Sequence, residues 1–160
     1  MSLAWIGLGG NLGDVNSNFD SALEALELHV GITVQKLSTR YRTAPIGYDN
    51  QPDFINAVAR IETVLTPGDL LKHMQAAEHQ GGRVRSDNRN APRTLDLDLL
   101  MVDDIIMTSR FLTLPHPRMH ERRFVLEPLV EIDPEIEIPG IGKAVELLAQ
   151  LGNQTVEQIN

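Results

Sequence analysis

Thr94-Leu95-Asp96-Leu97-Asp98-Leu99-Leu100-Met101 reads as a strand with one face in a core, because Leu95, Leu97, Leu99 and Met101 alternate with Asp96, Asp98 and Leu100. A strand at this point closes the order of elements that defines the fold. Upstream, the apolar run 3–8 ends in Gly7-Leu8-Gly9-Gly10-Asn11-Leu12-Gly13, a buried strand followed by a tight loop. Residues 17–30 space Phe19, Leu23, Leu26 and Val30 three or four apart, an amphipathic helix with Ser17 or Asn18 as its cap. Residues 32–43 read as one strand and 54–64 as the next. Between them, 44–53 carries Pro45, Gly47 and Pro52, a loop of a length that often serves function. Thr66-Pro67-Gly68-Asp69 starts a second helix, with Thr66 as cap, Leu70, Leu71, Met74 and Ala77 as its buried stripe, and Gly81-Gly82 as its end. Strand, helix, strand, strand, helix, strand predicts an α+β fold, a ferredoxin-like βαββαβ sandwich with both helices on one side of an antiparallel sheet. The remainder is a C-terminal extension with short strands near Ile105 and Leu112, a Pro115-His116-Pro117 turn, and helices near Glu127 and over 143–151.

A chain of 160 residues has the length of one domain, so residues 1–160 are expected to form a single unit. The formal net charge of -8 argues against general affinity for nucleic acid or anionic membrane. Of the basic side chains 11 are Arg and 3 Lys, and four of the Arg fall within 83–93, an island of positive charge that reads as a small-anion site. The absence of Cys removes disulfides, thiolate nucleophiles and Cys-based zinc sites. No basic leader and no apolar run near the ~18 residues of a membrane span occurs, so the expected compartment is the cytoplasm. A monomer is the expected state.

Arg83, Arg85, Arg89 and Arg93 crowd a Gly-flanked segment that runs directly into Asp96 and Asp98. Guanidinium groups match phosphate oxygens as planar bidentate donors, and carboxylates two residues apart on a strand share a face, roughly 7 Å apart at the backbone. Such a pair repels unless a cation lies between, and Mg²⁺ needs only one or two carboxylates beside water and phosphate. The pattern fits a metal-bound polyphosphate. Two other readings stay open on the residues alone: a metal-dependent nucleotidyltransferase, which releases pyrophosphate, and a non-catalytic small-molecule module, whose ligand binding ignores metal.

Other features carry less. Gly7-Leu8-Gly9 lacks the third glycine of a dinucleotide fingerprint, since Leu12 stands there, and no Gly-Lys-Ser/Thr of a Walker loop follows. His116 and His120 sit among Arg118, Arg122 and Arg123, a cationic neighbourhood that suits an anion better than a divalent metal. His29, His73 and His79 read as solvated or structural, and Phe54 and Phe124 taken alone read as core. Glu78 near the end of its helix opposes the dipole, which hints at a polar partner as readily as at solvent.

Taken together, Gly9-Gly10-Asn11-Leu12-Gly13, Tyr41-Arg42-Thr43-Ala44-Pro45, Gln51-Pro52-Asp53-Phe54-Ile55-Asn56, Pro92-Arg93-Thr94-Leu95-Asp96-Leu97-Asp98 and Leu114-Pro115-His116-Pro117-Arg118 resemble the 6-hydroxymethyl-7,8-dihydropterin pyrophosphokinases of folate biosynthesis. The resemblance covers all but about the last 25 residues. It implies the same ferredoxin-like fold and transfer of pyrophosphate from ATP to the pterin hydroxymethyl group, giving the diphosphate and AMP. It also implies that Asp96 and Asp98 hold two Mg²⁺ and that Arg83, Arg93, His116 and Arg122 grip the triphosphate, with Arg85 contributing less. Glu78, Leu99 and Thr113 would complete the ATP site. Thr43, Ala44 and Ile46 would offer backbone to the pterin, Asn56 would hydrogen-bond its edge, and Phe54 and Phe124 would stack on its faces. Many members carry Trp-Gly where this chain has Asn90-Ala91, and some carry Tyr at Pro117. The 83–93 loop is expected to be mobile without ligand and to order over ATP.

Overall fold

The computed structural model describes residues 1–45, 50–80 and 94–159. Its order is β1 (Ser2–Gly10), α1 (Val15–Glu27), β2 (Ile32–Leu37), β3 (Arg40–Thr43), β4 (Phe54–Thr63), α2 (Pro67–Gln80) and β5 (Asp96–Val102). Then come β6 (Met107–Thr108), β7 (Thr113–Leu114), a 3-10 turn (Met119–Glu121), α3 (Arg123–Ile132), β8 (Glu137–Ile138), β9 (Gly142–Lys143), α4 (Ala144–Gln150) and β10 (Glu157–Ile159). The main sheet runs β10-β3-β4-β1-β5, with β2 also on β4, and every pairing is antiparallel. The small hairpins β6-β7 and β8-β9 stand apart from it.

Alternation along the strands splits the apolar residues between the two faces of this sheet. Ala4, Ile6 and Leu8 of β1, Ala57, Ala59 and Ile61 of β4, and Leu97 and Leu99 of β5 bury against α1 and α2 through Phe19, Leu23, Leu26, Leu70 and Met74. Trp5, Val58, Leu100 and Met101 bury on the other face against Val125, Leu126 and Leu129 of α3 and Ala144 of α4. Met101, expected on the face of Leu95, Leu97 and Leu99, joins this side because the β1–β5 register shifts between Trp5 and Ile6. Each fully buried Leu, Ile or Phe contributes about 1.5–3 kcal/mol, so both faces hold their helices mainly by apolar burial. Polar ties then fix α3 along the sheet. Glu131 accepts from the Thr39 N–H at 2.9 Å and from the Tyr41 hydroxyl at 2.7 Å, while Asp133 accepts from Trp5 Nε1 at 2.7 Å and pairs with Arg60 at 2.6 Å.

Several local expectations change. The expected single strand 32–43 is two strands, because Ser38 turns its hydroxyl inward to accept the Val58 N–H at 2.9 Å, in place of a ladder carbonyl. The first helix is capped by Asp14, whose Oδ1 accepts from Ser17 N at 3.1 Å, not by Ser17 or Asn18. Gly13 precedes it at φ +71, a left-handed turn that suits glycine. Val30 lies beyond the end of the helix and is 99% exposed, so the buried stripe stops at Leu26. Leu71 is only partly buried, since it faces the cleft described below. The short strand near Ile105 falls at Met107–Thr108. Strands β8, β9 and β10, each of two or three residues, carry too little period-2 pattern to be read from sequence.

Candidate active site

Register places the candidate residues in rows across the sheet. Gly9 pairs with Asn56 on one side and Asp96 on the other, and Asn56 pairs in turn with Tyr41. One step along, Gly7 lies between Val58 and Asp98. Cross-strand partners point to the same face, so Asn56 and Asp96 flank a strip of β1 that bears no side chain, two strand spacings or about 9–10 Å apart at the backbone. The bare strip is used. A Cβ on Gly9 would stand 2.9 Å from Asn56 Oδ1, so the Asn56 carboxamide occupies the space that glycine leaves. Asn56 is buried and its Nδ2 donates to Thr43 Oγ1 at 3.4 Å, which ties β4 to β3 at the point where Thr43 pairs with Phe54.

Asp96 and Asp98 alternate with buried Leu97 and Leu99 and are themselves half-buried. Between them the Leu97 N–H donates to Glu78 Oε2 at 2.7 Å. Glu78 is only 3% exposed, so α2 grips β5 through a buried hydrogen bond at the peptide that separates the two carboxylates. Asn18 Nδ2 donates to Thr94 O at 3.2 Å, which fixes the approach to β5 from α1. Hard carboxylate oxygens beside glycine backbone fit Mg²⁺, which draws most of its octahedron from water and phosphate. Among the described residues no group of three or more His, Cys, Asp or Glu could form a protein-only cage. The donor set therefore fits a cation delivered with a polyphosphate, and it does not fit a zinc site.

His116 reaches the same place from the far side. Its backbone N–H donates to Leu100 O at 2.8 Å, two residues past Asp98, and its ring Nδ1 accepts from Arg118 N at 3.1 Å. That acceptor role puts the proton of the neutral ring on Nε2. Burial pushes the imidazole down to about 4, with Arg122 and Arg118 adding to it against the opposing pull of Asp96. His116 is thus a neutral donor at pH 7. It borders a cleft of about 380 Å³ at the β5 edge, shared by Asp98, Leu99, Thr113, Pro117, and by Leu71 and Gln75 of α2. Ser109, Arg110 and Phe111 form its rim, with Phe111 80% exposed and the Arg110 guanidinium 5.4 Å from its ring centroid.

Beyond His116 lies the N-terminus of α3, whose Arg122 helps to lower the pKa of that imidazole. Arg122 lies with Cζ 5.6 Å from the Phe124 ring centroid, and both side chains are half-buried. On the β3–β4 ribbon, Thr43 and Phe54 are half-buried and Ala44, just past β3, is exposed. Asn11, buried on the loop after β1, donates through Nδ2 to Gln51 Oε1 at 2.7 Å and Pro52 O at 2.9 Å, and so secures the end of the 44–53 loop. The structure therefore gathers Asp96, Asp98, His116, Leu99 and Thr113 around the β5 edge, and Asn56, Thr43 and Phe54 across the glycine strip. Arg83, Arg85 and Arg93, Ile46, and the expected mobility of the 83–93 loop lie outside the described residues.

Sequence reasoning missed Gln75 and the 109–111 rim. Gln75 stands four residues after Leu71 on one face of α2, and Phe111 is an aromatic in a polar turn. Both were signals of a surface facing something other than core.

A model of the family 7,8-dihydro-6-hydroxymethylpterin-pyrophosphokinase (HPPK) matches residues 5–134. The 2-amino-4-hydroxy-6-hydroxymethyldihydropteridine pyrophosphokinase of Bacillus subtilis is 42% identical over 136 residues, covering 85% of this chain and 81% of that one. The enzyme of the same name from Haemophilus influenzae is 38% identical over 160 residues, 100% of this chain and 99% of that one. Among solved structures, Plasmodium falciparum HPPK-DHPS superposes with a TM-score of 0.69 at 15% identity, covering 93% of this chain. This chain spans only 41% of that longer one, and at such identity the likeness speaks for the fold alone.

Proposed function

The chain belongs to the 7,8-dihydro-6-hydroxymethylpterin-pyrophosphokinase family, and on that premise we propose how its sheet performs the reaction. It transfers pyrophosphate from ATP to 6-hydroxymethyl-dihydropterin in folate biosynthesis, leaving AMP. The observation that carries the assignment of residues is the row Asn56, Gly9, Asp96: a group suited to a pterin edge and a group suited to a metal-bound phosphate flank one glycine of β1, whose missing Cβ leaves room for the Asn56 carboxamide.

Asn56 both donates and accepts, as the edge of a pterin ring requires, and Thr43, Ala44 and Ile46 offer backbone groups beside it. Phe54 and Phe124 stack on the ring from the two walls, each such contact contributing about 0.5–1.5 kcal/mol beyond its area. The pterin hydroxymethyl group then points from Asn56 toward Asp96. Asp96 and Asp98 would hold two Mg²⁺, which supply neutralisation of polyphosphate charge and alignment of nucleophile and leaving group. His116 donates from Nε2 to a phosphate oxygen; with that nitrogen protonated and Nδ1 engaged by Arg118 N, neither ring lone pair is directed at the cation. Arg122 meets the phosphates from the α3 side, Arg83 and Arg93 from the loop before β5, and Arg85 secondarily. Leu99, Thr113 and the remaining cleft residues receive the nucleoside, with Glu78 setting the floor beneath.

Three further statements belong to the same reading. The strand order, with β1 between β4 and β5 and the β2–β3 pair outside β4, supports the ferredoxin-like arrangement, and the segment after β5 supports a C-terminal extension. On this reading residues 1–160 act as one domain, monomeric and cytoplasmic; among the described residues no helix is long and apolar enough to cross a membrane. Nucleic acid and membrane are not partners.

The test is Asp98→Ala, assayed for pterin-dependent AMP release beside a thermal melt. Loss of turnover by orders of magnitude with a cooperative melt supports the reading; an equally active variant contradicts the metal assignment.

A further inference from the structure

The proposed cleft has two walls that are distant in sequence. One is the β3–β4 ribbon with Thr43, Phe54 and Asn56; the other is the junction of the 3-10 turn and α3, with Arg122 and Phe124. Residues 151–159 touch both. At the α3 wall, Gln154 Oε1 accepts from Arg123 N at 2.9 Å while Gln154 Nε2 donates to Glu121 O at 2.7 Å. Those two backbone groups flank Arg122, so one side-chain amide clamps the chain on both sides of it. Arg123 Nη2 also donates to Leu151 O at 3.0 Å.

The helix end explains why such a clamp is needed. Arg122 is the N-cap of α3, extended at φ -115 and ψ 109, and its side chain makes no capping bond. The Arg123 N–H is therefore one of the orphan donors of the first turn, and Gln154 brings the missing acceptor from a remote segment. At the β3 wall, Glu157, Gln158 and Ile159 pair with Arg42, Tyr41 and Arg40. Glu157 lies 3.7 Å from the Arg42 guanidinium, and Gln158 Nε2 donates to Thr39 Oγ1 at 2.8 Å. All these tail residues lie beyond the 5–134 matched to the family model.

We infer that residues 151–159 are a strap across the two walls of the cleft, and that Gln154 is the positioning residue for Arg122. Gln154 acts on the backbone from which the Arg122 guanidinium reaches toward the phosphates, and Arg122 carries the effect to substrate. The inference rests on the reading of Arg122 as a polyphosphate ligand, and the experiment separates the two.

The test is a double-mutant cycle with Gln154→Met, which keeps side-chain length but removes both hydrogen bonds, and Arg122→Ala, read as KM for ATP and as Kd for a nonhydrolysable ATP analogue with Mg²⁺. Gln154→Met alone weakens both by roughly tenfold with a cooperative melt retained. In the Arg122→Ala background it adds nothing, because the group it positions is gone. A full tenfold loss in that background, or a wild-type KM and Kd for Gln154→Met beside an impaired Arg122→Ala, overturns the strap. A wild-type Arg122→Ala overturns the phosphate reading itself, and with it the strap.

Discussion

Asn56 and Asp96 are both register partners of Gly9, one on β4 and the other on β5, with no β1 side chain between them. The glycine does more than leave a gap. Its missing Cβ is the space in which Asn56 Oδ1 rests, 2.9 Å from where that carbon would be. Gly9→Ala therefore displaces the end of a flexible side chain and leaves backbone in place, so the fold tolerates it. The expected result is a Kd for pterin raised roughly tenfold, as for one lost hydrogen bond to substrate, with nucleotide affinity unchanged. Equilibrium binding of each ligand separately checks this.

Glu78 predicts a stability effect that a surface glutamate would not. Glu78→Ala leaves the buried Leu97 N–H without its acceptor, a cost of about 1–3 kcal/mol. Glu78→Gln keeps an oxygen in reach and recovers most of it. Urea denaturation of both variants measures the difference. Turnover should follow the same order, because the affected peptide lies between Asp96 and Asp98.

His116 gives a pH signature. Its folded value, about 4, lies below the 6.5 of a free imidazole, through burial first and Arg122 second. Between those values the unfolded chain binds a proton that the folded chain does not. Stability supplied by the neutral ring is thus intact above about pH 6.5 and falls as pH drops toward 4. An NMR titration of the ring should show a midpoint near 4 in the ligand-free protein, and His116→Gln should flatten the loss of stability across that window.

Glu131 behaves in the ordinary carboxylate sense. Burial raises its pKa, but hydrogen bonds from Tyr41 and Thr39 outweigh that and hold it below 4.5. Its contribution is present above that value and fades as pH falls below it. Tyr41→Phe removes one of the donors and should destabilise by about 1 kcal/mol at pH 7, with a smaller penalty in acid. The same contact, after burial, helps to push the Tyr41 hydroxyl up to about 12, which ultraviolet titration reads directly.

Much of this was legible in the chain. The alternation of 95–99 and the helical spacing of 19–26 and 70–77 marked the main elements because their apolar faces meet a large layer of core, while Met101 left the pattern where the β1–β5 register shifts. Asp96 and Asp98 stood out as a candidate site because their spacing, and the Arg cluster before them, make no sense as core. What escaped reading depended on distant partners. Ser38 breaks its strand by bonding to Val58, Glu78 is buried by an N–H on β5, and Gln154 caps a helix some thirty residues before it. None of those partners is implied by local period or propensity. The reading of 32–43 as one strand failed for that reason, and the glycine row emerged only once register joined Gly7 and Gly9 to β4 and β5.

The most direct test of the account is to follow each phosphorus of ATP, labelled separately at the α and β positions, through one turnover with Mg²⁺ and 6-hydroxymethyl-7,8-dihydropterin. The account predicts that the β label leaves with the pterin as a diphosphate and the α label stays in AMP. An α label on the pterin with free pyrophosphate, or a β label retained in ADP, would contradict it.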